Sequence, residues 1–138
     1  MKKQSLPKNR TRKPDTNNEV LTIFIDGAGA RPDGAGSGFA WICMNTNVRT
    51  IERVDGLTNN QAEYRSFLSA IDALPDRCSV RFFSDSLVLC CQFSGQYKVK
   101  DPELSRLLAE VRSAIARKRL QISLQWVPRA QNEAGKLL

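Results

Sequence analysis

The 138-residue chain contains no histidine. That absence removes the side chain that most often serves as general base, proton shuttle and zinc ligand near neutral pH. Cysteine is scarce and poorly spaced: Cys43, Cys78, Cys90 and Cys91 form no C-x-x-C pair, which excludes a zinc knuckle and argues against a disulfide frame. They read as small core residues of a reducing compartment. No apolar run approaches the roughly 20 residues that span a bilayer, and the basic start of the chain has no apolar segment behind its charges. The expectation is a cytoplasmic protein with no membrane partner. A chain of this length has room for one core and not for two.

Positive charge is present but unevenly spread. Residues 1–18 hold Lys2, Lys3, Lys8, Arg10, Arg12 and Lys13 against Asp15, a balance of +5, so the whole-chain +7 leaves only +2 for the body. The first 18 residues lack apolar periodicity and read as a disordered basic tail, able to hold a polyanion loosely by counterion release or simply to solubilise the chain. Residues 19–138 read as the folded domain.

The body opens on an apolar run from Val20 to Ile25 that ends in Asp26. The glycine- and proline-rich stretch 27–38 follows. It is not a phosphate loop, because no Gly-Lys-Ser/Thr comes after it and Phe39–Met44 continues as a strand. A third strand around 50–55 completes a meander. Thr58-Asn59-Asn60-Gln61-Ala62-Glu63 reads as a helix start with capping residues and an acid in the first turn, and the apolar positions Phe67, Ala70, Ile71 and Leu74 put Glu63 on the oily side. A strand at 79–84 ends at Asp85, and Asp85-Ser86 opens a short helix. Helical spacing over 102–118, a strand over 121–127 and a short helix from near Asn132 finish the chain. The order β-β-β-α-β-α-α-β-α predicts a mixed α/β sheet. A helical crossover makes the strands ending at Asp26 and Asp85 parallel neighbours, so both acids reach the carboxyl-end edge where sites in such sheets gather.

Each acid has an ordinary alternative: Asp26 as a turn residue, Asp85 as an N-cap, Glu63 as a dipole partner. Together they converge, and two unit charges ~4 Å apart repel by about 4 kcal/mol at an effective dielectric near 20. A divalent cation removes that cost. Hard oxygen donors point to magnesium or manganese, and a pair of ions activates a water and stabilises a leaving oxygen without a protein base.

The chain resembles the ribonuclease H type 1 family over residues 20–138. The motifs that carry the likeness are Phe24-Ile25-Asp26-Gly27 with the glycine-rich hairpin, Thr58-Asn59-Asn60-Gln61-Ala62-Glu63-Tyr64, Ser84-Asp85-Ser86, Gly95-Gln96-Tyr97-Lys98-Val99-Lys100, and Trp126-Val127-Pro128-Arg129 with Asn132 three residues on. The resemblance implies an RNase H-like five-stranded sheet, three strands antiparallel and the rest parallel, with helices on both faces. It implies magnesium-dependent cleavage of the RNA strand of RNA/DNA hybrids by a monomer, with Asp26, Glu63 and Asp85 as ligands to two ions, for which Mn2+ substitutes. Thr58, Asn59 and Asn60 match the loop that reads the minor groove, where amides and hydroxyls meet 2′-hydroxyls; helix capping is their structural alternative. Gly27 and the following glycines would let backbone approach the RNA strand, and Lys98, Lys100 and Arg129 would contact phosphates or serve as ordinary surface charge.

The sequence departs from the family at the fourth acid, four residues after the asparagine of the last motif. Here that position is Lys136, which predicts weaker binding of at least one ion if it points inward; the alternatives are that Asn132 or Glu133 substitutes, or that Lys136 points to solvent or to phosphate. The family's mobile histidine is absent, as in other members. The segment from Asp85 to Pro102 is too short for the extra basic helix of some bacterial members. Besides the endonuclease reading, a catalytically weakened hybrid-binding module and another nuclease of the same fold remain open.

Overall fold

The computed structural model describes residues 19–33 and 36–138; the basic tail expected over 1–18 lies outside them. Five strands form one sheet: β1 (Val20–Ala28), β2 (Gly38–Cys43), β3 (Arg49–Arg53), β4 (Ser79–Ser84) and β5 (Gln121–Trp126), in the order β3-β2-β1-β4-β5. β1, β2 and β3 pair antiparallel, whereas β4 is parallel to both β1 and β5. This is the mixed sheet expected from hairpins followed by crossovers.

Alternation along the central strands divides the two faces. Ile23, Ile25, Trp41, Val80 and Phe82 point into the main core with Tyr64, Phe67, Ala70 and Ile71 of α1 (Asn59–Ala73). Phe67 sits edge-on to both Phe82 and Phe93, with ring centroids 4.9 and 5.2 Å away, an arrangement that orders the core beyond simple area burial. α2 (Leu87–Ser94) adds Leu89 to this core, and α3 (Pro102–Lys118) adds Leu104, Leu107, Leu108 and Val111. Lys118 of α3 donates to the carbonyls of Ile71, Asp72 and Leu74 at 3.1, 2.7 and 2.7 Å. Its ammonium thereby satisfies the carbonyl end of α1, which the helix itself leaves unpaired.

The helix starts have local causes. Thr58 Oγ1 accepts from Gln61 N–H at 3.1 Å while Gln61 Oε1 accepts from Thr58 N–H at 3.0 Å, a reciprocal cap. With α1 beginning at Asn59, Glu63 is its fifth residue, in the second turn rather than the first as expected. Ser86, not Asp85, caps α2, through its hydroxyl to Leu89 N–H at 3.1 Å. Asp101 caps α3, and Pro102 occupies the first turn.

The chain end differs from expectation. Arg129–Gln131 and Glu133–Leu137 are short 3-10 turns in place of an α-helix. Five residues that include Gly135 close few α-type bonds, and the bonds present, Gly135 N–H to Asn132 O and Leu138 N–H to Gly135 O, span three residues. The second turn packs on β1 and β2 from the face opposite α1, where Ala40 and Ile42 are buried. All four cysteines are free. No helix among the described residues is long and apolar enough to cross a membrane.

Candidate active site

β1 and β4 run side by side with Phe24 opposite Phe83, their rings stacked at 5.1 Å. Two residues on from each phenylalanine come Asp26 and Asp85, which the period of two turns to the same side. The third acid arrives from α1. Gly27 makes this approach possible, because a Cβ there would lie 2.3 Å from the Ala62 carbonyl carbon and 2.4 Å from the Glu63 nitrogen. Any side chain would push α1, and Glu63 with it, away from the strand. The glycine therefore seats the helix, a role the sequence alone did not assign to it.

One carboxylate oxygen from each of Asp26, Glu63 and Asp85 lies within 4.8 Å of the others. Glu63 is only 7% exposed, and its Oε1 finds no hydrogen-bond partner among the described residues. A buried carboxylate oxygen with no partner is costly, on the order of 1–3 kcal/mol or more. The electrostatics agree. Burial, then the charges of Asp26 and Asp85, push Glu63 up to about 9, while Gly27 and Arg129 pull the other way. Burial and then Asp85 raise Asp26 to about 6, opposed by hydrogen bonds from Gly27 and Glu63 and by the Arg129 charge. Three convergent carboxylates, one of them carrying an orphaned oxygen, fit a divalent cation of the magnesium or manganese class.

The position of the family's fourth acid is also resolved. Lys136 donates to Glu133 Oε2 at 2.9 Å and its side chain is 62% exposed. Glu133 is thus engaged by Lys136. Asn132, 1% exposed, gives its amide N–H groups to the Ile25 carbonyl at 2.9 Å and Asp85 Oδ2 at 3.2 Å, and its Oδ1 accepts from Ala134 N–H at 3.0 Å. Its carbonyl oxygen thus serves the start of the last turn. Gly135 lies close beneath the three acids: a Cβ there would be 3.1 Å from Asp26 Oδ2.

The acids open into a cleft of about 660 Å³ whose walls include Asn59, Asn60, Ser86, Arg129 and Lys136. The expected nucleic-acid residues divide here. Thr58 spends its hydroxyl on the helix cap. Asn59 Oδ1 accepts from Gly29 N–H at 2.6 Å, tying the loop after β1 to α1. Asn60 lines the cleft and makes no side-chain hydrogen bond among the described residues. Arg129 lines it as well, whereas Lys98 and Lys100 are exposed outside its walls. Ser86 and Trp126 were not expected at the site. Ser86 was legible as the first capping residue before an apolar helical run; the placement of Trp126, whose Nε1 donates to the Asp85 carbonyl at 3.1 Å, had no local signal.

Sheet order and carboxylate cluster together define a mixed α/β domain with a candidate cation site at its carboxyl edge. Residues 18–134 match the RNase H family, and the chain belongs to it. It is 32% identical over 119 residues to the bifunctional protein Rv2228c of Mycobacterium tuberculosis, which covers 81% of this chain but 32% of that protein. It is 27% identical over 131 residues to ribonuclease HI of Halobacterium salinarum, covering 91% of this chain and 64% of that one. The chain thus spans about a third of the first relative and just under two thirds of the second. Among solved structures, LC11-RNase H1 in complex with an RNA/DNA hybrid superposes with a TM-score of 0.75 at 26% identity, covering 86% of this chain and 92% of that one. Family and fold are those the motifs implied.

Proposed function

We propose that this chain is an endonuclease that hydrolyses the RNA strand of RNA/DNA hybrids. The observation that carries the reading is the convergence of Asp26, Glu63 and Asp85 with a buried, unpartnered Glu63 oxygen at the carboxyl edge of the sheet. Family membership and the hybrid bound to LC11-RNase H1 support the substrate class.

In this reading the three carboxylates hold Mg2+, two ions as in the family, with Mn2+ as a substitute. Bound divalent ions lower the pKa of an attacking water and stabilise the charge on a leaving phosphodiester oxygen. The chain's own residues bind and orient. Gly27 fixes the distance between Asp26 and Glu63 by seating α1. Asn132 orients the Asp85 carboxylate through its amide. Asn60, and the amide nitrogen of Asn59, face the cleft as donors toward the minor groove, where 2′-hydroxyls mark RNA. Thr58 contributes by shaping the helix start. Arg129 supplies positive charge next to Asp26 and Glu63 and a planar fork suited to phosphate. Lys98 and Lys100 would reach only phosphates beyond the cleft. A monomer acting in the cytoplasm completes the reading.

A second reading is favoured by Lys136, which replaces the fourth acid and turns to Glu133: a hybrid-binding module with weakened catalysis. A labelled RNA/DNA hybrid, duplex DNA and duplex RNA incubated with the protein in Mg2+ or Mn2+, beside Asp26→Asn, separates the cases. Hybrid-specific cutting lost in the variant is the expected result. Binding without cutting in either metal supports the binding module, and comparable cutting of duplex DNA supports another nuclease of this fold.

A further inference from the structure

The chain has two tryptophans. Trp41 is sealed in the core at 0% exposure, its Nε1 donating to Ser69 Oγ at 3.0 Å. Trp126, the last residue of β5, is 50% exposed. Its ring is nonetheless fixed, because Nε1 donates to the Asp85 carbonyl at 3.1 Å and the next residue is held by Val127 N–H to Ser84 O at 2.9 Å. Leu87, two residues beyond Asp85, is 52% exposed on α2, and α2 packs on β5. Single exposed apolar side chains are common and need no explanation. Here an aromatic ring is anchored to the backbone of Asp85, an acid that lines the polar cleft, and Leu87 follows Ser86, which lines it too.

Sheet order sets what lies along that cleft. From the start of α1 the edge passes Asp26 on β1, then Asp85 just past β4, then Trp126 at the end of β5, while Arg129 lines the cleft next to Asp26 and Glu63. Polar amides stand at one end, the acids with the Arg129 guanidinium in the middle, and an aromatic ring on the β5 side. The bases of a paired hybrid are stacked inward, so the apolar surface that its backbone offers to a cleft is the C–H face of the sugars. A rigid indole covers such a face at little conformational cost, and the Arg129 guanidinium next to the acids suits a phosphate.

We propose that Trp126 is a substrate-positioning shelf: the sugar next to the cleaved linkage packs on the indole while Arg129, beside the acids, holds a phosphate. The assignment rests on the hybrid-cleaving reading and adds a contact on the β5 side of the acids.

Because Trp41 is sealed, acrylamide quenching of the intrinsic fluorescence reports Trp126. The wild-type chain is titrated with RNA/DNA hybrid at low salt in a chelator, which keeps the strand intact, while binding is followed separately by the anisotropy of a labelled hybrid. Quenching of Trp126 should fall severalfold as the hybrid saturates. Trp126→Ala should weaken hybrid binding by about tenfold, the scale of a nucleotide contact on an aromatic ring, and Trp126→Phe should restore most of it. Hybrid that binds with Trp126 still fully quenchable overturns the shelf and leaves the nuclease reading standing. Equal loss in the alanine and phenylalanine variants also overturns it, assigning the effect to the N–H bond that steadies Asp85. No binding of hybrid at all overturns both.

Discussion

Asn132 donates an amide N–H to the Asp85 carboxylate at 3.2 Å, across 47 residues of sequence, and the other to the Ile25 carbonyl at 2.9 Å. One fully buried amide thereby ties the last turn, the central strand and an acid of the cluster together. Asn132→Ala leaves the Ile25 carbonyl and the Asp85 carboxylate short of a donor and should cost about 1–3 kcal/mol. It should also weaken Mn2+ binding, since partners that orient a ligand typically tune affinity by roughly 10–100-fold. Thermal melting and Mn2+ titration read the two effects separately; an unchanged Mn2+ affinity would show that the amide serves the fold alone.

Lys136→Asp returns a carboxylate to the fourth position and frees Glu133 from its ion pair. The added negative charge should lower the Mg2+ concentration for half-saturation by roughly tenfold. Isothermal titration checks this, with Lys136→Met separating the gain of an acid from the loss of a cation. Equal affinities in all three chains would mean that position 136 has no bearing on the cation site.

The metal-free chain should lose stability as the medium becomes alkaline. Folding raises Asp26 from 3.8 to about 6 and Glu63 from 4.5 to about 9. The folded state therefore keeps protons that the unfolded chain has released, and the associated stabilisation is complete below about 4 and is lost as pH rises through 6 and then 9. In chelator, the wild-type melting temperature should fall between pH 5 and pH 9 more steeply than that of Glu63→Gln, and Mg2+ should restore more stability at pH 8 than at pH 5.5. Parallel curves for the two chains would rule out Glu63 as the source.

Thr58 and Asn60 should separate fold from recognition. Thr58→Ala removes one arm of the reciprocal cap and should cost ~1 kcal/mol of stability. Asn60→Ala should leave melting nearly unchanged and weaken hybrid binding, with little effect on duplex DNA. Melting and anisotropy on both variants test this, and a destabilised Asn60→Ala chain would return that residue to a capping role.

The basic start of the chain carries a separate expectation. Removing residues 1–18 takes away a balance of +5 and should flatten the dependence of hybrid affinity on salt, by at most about 0.9 in slope per phosphate released from contact. An unchanged slope would exclude the tail from the binding surface.

Local chemistry was enough to read the architecture and the three acids. Apolar runs ending in Asp26 and Asp85, helical spacing that put Glu63 on the inward side, the Thr58 cap and the lack of histidine are short-range features. They specify period, ends and donor type within a few residues of each position. Some bounds shifted where competing local bonds decided, as when Ser86 rather than Asp85 took the cap of α2. What no local signal could decide is how side chains pair across long separations. The Asn132 amide bridging the Ile25 carbonyl and Asp85, the Lys136–Glu133 pair in place of a fourth acid, the use of Gly27 to seat α1 and the anchored, half-exposed Trp126 depend on which elements the sheet brings together. Those contacts are set by packing and by the cost of burying an unpaired polar group, and both exist only once the chain has folded.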